Sequence, residues 1–151
     1  MAANKLREFF REKKTKAGPG KINWQARKDA WIAAVQELYG TIQHYLKAAA
    51  KDRTVEFSFQ NKEIAEDYIG QYTVQELVLR VGDEKVIFSP KGTNVVGAAG
   101  RVDLLGDMGE VTIVRQEGDR WGVVASRTPT LKVIELNEES LLTALESVMR
   151  R

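Results

Sequence analysis

Residues 101–126 read "RVDLLGDMGEVTIVRQEGDRWGVVAS". Three apolar-rich runs, "RVDLL", "EVTIVRQ" and "RWGVVAS", are separated only by "GDMG" and "EGD". Glycine and aspartate at such breaks are turn-formers: glycine reaches positive φ without steric cost, and aspartate can bond its own backbone. A parallel crossover needs a dozen or more residues, so strands joined this closely run antiparallel. That constraint decides the fold class.

The same logic extends in both directions. In "TVQELVLRV" (73–81), Leu77, Leu79 and Val81 share one side of a strand, and Gly82-Asp83 turns the chain into "EKVIF" (84–88). "LKVIEL" (131–136) adds a strand after the turn "RTPT". In "TVEFSFQ" (54–60), Val55, Phe57 and Phe59 alternate at period two, as in a half-buried strand. "NKEIAEDYIG" (61–70) reads as one short helix, with Asn61 as cap and Gly70 as stop. The expectation is an antiparallel meander of six to seven strands. Ile113-Val114 and Val123-Val124 put apolar side chains on both faces, so either helices cover both faces or the sheet curls into a partial barrel.

Helical periodicity flanks the meander. Asn23 can cap a helix whose apolar positions run Trp24, Trp31, Val35, Leu38, Ile42, Tyr45 and Ala49, broadened by Ile32, Tyr39 and Leu46. As a single helix, residues 23–51 would measure about 43 Å. A compact body of this chain length is about 35 Å across. The helix must therefore overhang, bend near Gly40, or meet another chain, which makes a homodimer built on this helix an expectation. At the other end Asn137 caps a helix with Leu141, Leu142, Leu145, Val148 and Met149 facing inward. The class is α+β: a long N-terminal helical region, a meander forming a curved sheet or partial barrel, and a C-terminal helix. "AGPG" (17–20) divides the chain into a basic arm with a short helix and linker, 1–20, and a single α+β domain, 21–151.

The 151 residues contain no cysteine, which excludes disulfides, thiolate nucleophiles and cysteine-bound metals. The charged start "MAANKLREFFREKKTK" is no signal peptide, and no apolar run approaches the roughly 18 residues of a membrane span. A soluble cytoplasmic protein is expected. Charge is split along the chain. Residues 1–28 hold nine Lys/Arg and two Glu, a net of +7; the remainder holds fourteen Lys/Arg and nineteen Asp/Glu, a net of −5. A basic arm of this kind can seek nucleic acid, an anionic membrane or an acidic protein surface, and it can equally stay solvated or fold back on the chain's own acidic body. Leu6, Phe9 and Phe10 form a small apolar face within it. The interaction residues expected on this reading are Lys5, Arg7, Phe9, Phe10, Arg11, Lys13 and Lys14 on the arm, with Trp24 and Trp31 seven apart on the long helix.

Chemistry-bearing residues are few. His44 is the single histidine and falls away from the apolar stripe. Glu63, Glu66 and Asp67 share the short helix read at 61–70, where such clusters are usually wet surface. The glycines of "PKGTNVVGAAGRVDLLGDMGEV" (90–111) lack the spacing of a phosphate loop, and a strand rather than a helix follows them. They read as turns at "PKGT" and "GDMG" and a kink at "GAAG". If that kink opens a pocket, Lys91, Arg101, Asp103 and Arg115 are its polar groups. No catalytic, cofactor or metal residue is assigned.

The meander closed by a C-terminal helix resembles, in outline, pleckstrin-homology-like barrels. The long helix ahead of a sheet ending in "DRWGVV" (119–124) resembles cone-shaped α+β ligand-binding folds. Architecture does not fix function. The poverty of catalytic side chains favours a non-enzymatic interaction or assembly module that self-associates through helix 23–51. The alternatives are a nucleic-acid or membrane binder using the arm, and a small-ligand pocket or enzyme in the curved sheet.

Overall fold

The computed structural model describes residues 5–10, 23–93, 100–116, 120–126 and 129–150. A short helix α1 (residues 5–10) precedes α2 (Trp24–Tyr45) and α3 (Lys47–Lys51). The strands follow as β1 (Glu56–Glu66), β2 (Gly70–Val81), β3 (Glu84–Gly92), β4 (Gly100–Gly106), β5 (Gly109–Gln116), β6 (Arg120–Ser126) and β7 (Lys132–Glu135), and α4 (Glu138–Val148) comes last. The strands form one seven-stranded antiparallel sheet in chain order. Among the described residues no pairing joins β7 back to β1, and no helix is long and apolar enough to cross a membrane.

One face of the sheet is the core. Leu77 and Leu79 of β2, Val86 and Phe88 of β3, Val102 and Leu104 of β4, Ile113 of β5 and Val123 of β6 form a single cluster. Their cross-strand register aligns Leu77 with Phe88, Phe88 with Leu104, Val102 with Ile113 and Ile113 with Val123. Helix α2 lays Trp31, Val35, Leu38, Tyr39 and Ile42 on this face, and α4 lays Leu141, Ala144 and Val148 beside them. Each large side chain withdrawn from water this way contributes about 1.5–3 kcal/mol. The apolar stripe of α2 is thus occupied by its own sheet, and at 22 residues the helix is about 33 Å long, within the width of the body.

Several expectations are corrected. The helix expected over 23–51 is divided at Leu46, not bent at Gly40; a Cβ on Gly40 would meet nothing within 4 Å. Residues 61–66 are not helical but continue β1, which turns at Asp67–Ile69 and returns as β2. "PKG" is no turn: β3 runs through it to Gly92, with a register shift between Pro90 and Gly92. Leu142 faces outward on α4, 57% exposed. The "GAAG" kink falls, except for Gly100, outside the described residues, as does the turn at 117–119.

The β1–β2 ribbon explains the misread segment. Its register is unbroken from Glu56↔Arg80 to Glu66↔Gly70. Yet the core residues are odd-numbered at Leu77 and Leu79 and even-numbered at Val74 and Tyr72, with Ile64 opposite Tyr72. Without an inserted residue, the ribbon itself must turn its inner face over near Gln75–Glu76, as strongly twisted two-stranded ribbons do. Its pairing with β3 ends just there, at Leu77↔Phe88.

Two glycines test the packing. A Cβ on Gly100 would collide with the ring of Trp31. Gly100→Ala is expected to lower unfolding free energy by about 1–3 kcal/mol. Gly40→Ala, on the open side of α2, is expected to raise it by about 0.5–1 kcal/mol. Urea titration of both variants checks the pair; equal effects would refute the placement of α2.

Candidate functional site

Where β2 leaves β3, the edge of β3 beyond Phe88 has lost its strand partner on that side, and side chains cap it. The Tyr39 hydroxyl lies 2.6 Å from the Gln75 carbonyl and 3.2 Å from the Phe88 carbonyl. Burial, reinforced by Glu76, pushes its ionisation far above the usual phenol range, so it remains a donor. Lys62 Nζ donates to Ser89 Oγ at 2.8 Å and to the Pro90 carbonyl at 2.9 Å. Glu66 accepts from the Thr93 backbone N–H at 2.8 Å and its hydroxyl at 2.9 Å, and also from the Tyr72 hydroxyl. Gly92, at φ +125°, leaves room for that carboxylate. These polar groups satisfy a bare backbone edge, a structural task that needs no ligand.

The four residues expected to line a pocket do not converge. Arg101 and Asp103 share the face of the sheet away from the helices. Arg101 grips Asp103 with two bonds, at 2.7 and 3.1 Å, and that bond holds the guanidinium's ionisation above its usual value. The Asp103 residue is 2% exposed. Arg115 is in register with Gly100 and Trp121, so strand alternation puts it on the helix-covered face. Lys91 is exposed at the β3 bulge beside Lys62. A polar hollow of about 430 Å³ opens near Thr112 and Ser126.

The main apolar hollow beside α4 was not legible as a set. A cavity of about 340 Å³ lies between α4 and the corner where α2 and α3 hand over to β1. Its apolar walls are Leu46, Val55, Val81, Leu142, Leu145 and Met149. A second hollow, of about 420 Å³, shares Leu46, Leu142 and Leu145 and continues along α4 to Glu138 and Glu139. Together they form one apolar groove with Glu138, Glu139 and Glu146 at its margin. Arg150 also lines it, but its guanidinium is engaged by Asp107 at 3.0 Å and Asp83 at 3.3 Å, and its backbone N–H by Glu84 at 2.6 Å. The sequence signal was an excess: four large apolar residues on α4 and Met149 just beyond it, more than one buried stripe needs.

Helix α4 is held rigidly against the sheet. Asn137 caps it in a reciprocal box with Ser140, at 2.8 and 2.9 Å. At the other end the Met108 N–H donates to the Val148 carbonyl at 2.9 Å, a close approach that Gly106 permits because a Cβ there would strike that carbonyl.

The expected interaction residues are dispersed. Lys5, Arg7, Phe9 and Phe10 lie on α1, with the two rings edge to face at 5.6 Å; Arg11, Lys13 and Lys14 fall outside the described residues. Trp24 stacks on Tyr68 at 5.3 Å, with Arg27 over its ring at 5.4 Å. Trp31 is core, its ring 6.0 Å from that of Trp121. His44 is exposed on α2, and among the described residues no three metal-type side chains gather. No protein-family model matches the chain, and no curated protein or solved structure matches it either.

Lys62 offers a test of the capped edge. Burial, and then the like charge of Lys91, lower its ionisation from the ordinary 10.5. Between the lowered value and 10.5 the unfolded chain binds more protons at this site than the folded one, so Lys62 makes stability rise with pH in that window. Lys91→Met is expected to move the Lys62 titration upward, read from its Cε and Nζ resonances; an unmoved titration refutes the coupling.

Proposed function

We propose that the chain is a non-enzymatic binding module that takes the apolar face of a partner helix in the groove beside α4. The observation that carries this is the exposed Leu142 on a helix otherwise packed and capped, opening onto a continuous apolar trough with an acidic margin. An elongated trough beside a helix suits helix-in-groove recognition, in which residues at i, i+3 and i+4 are the anchors. A small-molecule site would place a few polar groups inward to fix orientation. Here the inner walls are aliphatic and the one guanidinium is engaged by carboxylates. The acidic margin selects basic over acidic partners by steering and by like-charge repulsion.

The choice of surface departs from self-association through the 23–51 helix. That stripe is covered by the sheet, whereas the groove is open. Interaction remains the activity; the surface proposed for it is different.

A synthetic amphipathic helix of leucine and lysine is expected to bind with a micromolar dissociation constant by calorimetry, more weakly as salt rises. The leucine and glutamate counterpart is expected not to bind. Leu142→Asp changes an exposed side chain and should weaken the first peptide at least about tenfold. Leu131→Asp, also exposed but on the approach to β7, should leave binding unchanged. Equal binding of both peptides, or full binding by Leu142→Asp, refutes the proposal.

A further inference from the structure

The chain carries a segment with the chemistry the groove would select. Helix α1 presents Leu6, Phe9 and Phe10, each more than half exposed. They stand at i, i+3 and i+4, the anchor spacing of helix-in-groove recognition. Lys5 and Arg7 flank them, and Arg11, Lys13 and Lys14 follow in the sequence. Glu138, Glu139 and Glu146 stand at the groove. Apolar anchors meet an apolar trough, and an arm (1–20) of six Lys/Arg and two Glu, net +4, meets a domain (21–151) of net −2.

Reach decides between the chain's own groove and another's. The groove lies at the C-terminal end of α2, about 33 Å from Asn23. Covalent geometry limits the run from Phe10 to Asn23 to about 45 Å. To fill its own groove the arm would have to hold that run at about three-quarters of full extension along α2, well beyond the roughly 20 Å of a relaxed chain of that length. A second copy brings the groove to the arm. We infer that α1 of one chain docks by Leu6, Phe9 and Phe10 into the α4 groove of a second copy, and that two chains exchange arms in a closed pair. The exchange is reciprocal, so one interface is used twice and the assembly stops at two. This rests on the reading of the groove as a helix-binding site.

Sedimentation of the full chain between 5 and 100 µM, concentrations on the order of the expected micromolar constant, tests it. The wild type is expected to dimerise, more weakly in high salt. Phe9→Ala/Phe10→Ala and Leu142→Asp change exposed side chains, and each alone should weaken the dimer at least about tenfold. Mixing the two variants is the decisive arm. The first retains an intact groove and the second an intact α1, so a mixed pair joined by one arm should appear. A wild type that stays monomeric at 100 µM overturns the inference, as does a mixture that stays monomeric when the wild type dimerises, or a dimer indifferent to both variants. Binding of the arm to anionic vesicles by a chain that remains monomeric also overturns it. If the leucine and lysine peptide still binds in any of these cases, the groove reading stands and the arm exchange alone fails.

Discussion

The Tyr39 hydroxyl sits where α2, β2 and β3 meet, between the carbonyls of Gln75 and Phe88. A phenol in that position does what a strand would otherwise do. It supplies one donor where the β2–β3 ladder ends, given chiefly to the Gln75 carbonyl at 2.6 Å with the Phe88 carbonyl at 3.2 Å, so the backbone can part there with a polar partner at hand. Once β2 is free of β3, the ribbon it forms with β1 can twist. The far half of the ribbon then brings Ile64, Tyr72 and Val74 to the same core that Leu77 and Leu79 serve from the near half. Lys62 and Glu66 reach back to the bared edge of β3 for the same reason. One bonding constraint on the central helix thereby fixes the orientation of α2, the reach of the core, and the polar seam beside it.

The meander was readable because turn length alone forbids the alternatives. "GDMG", "EGD" and Gly82-Asp83 leave no room for crossovers, and β2 to β6 stand where those breaks put them. The segment at 61–70 was misread for a physical cause. The ribbon changes which parity faces inward, so the apolar series Phe57, Phe59, Ile64 breaks step, and a broken period of two resembles a period of 3.6. The division of the long helix at Leu46 had no such marker, since leucine is a good helix former. The groove was hidden differently. Its walls come from α2's end, the start of β1, the β2–β3 hairpin and α4, segments far apart in sequence whose meeting only the tertiary fold specifies. What the sequence did contain was the charge split, a basic arm bearing Leu6, Phe9 and Phe10 ahead of an acidic remainder.

The two faces of the sheet do different work. The helix-covered face carries the apolar core, and its surplus at one end becomes the groove. The opposite face holds the Arg101–Asp103 pair, whose charges offset each other. Balanced pairs of this kind spend their capacity on each other, and a reader of the sequence who sees only the residue types will take them for a site. The acids beside α4 differ in their setting, because they border apolar surface.

An open sheet has two rims, and the longer here belongs to β1, eleven residues with a neighbour on one side only. A straight rim of that length, carrying phenylalanine and isoleucine, would be a template for stray strands and a seed for insoluble aggregates. The ribbon's twist divides that rim into two short stretches facing different ways. Lys62 and Glu63 add charge near the break. The distortion that completes the core therefore also protects the chain from polymerising through its own backbone.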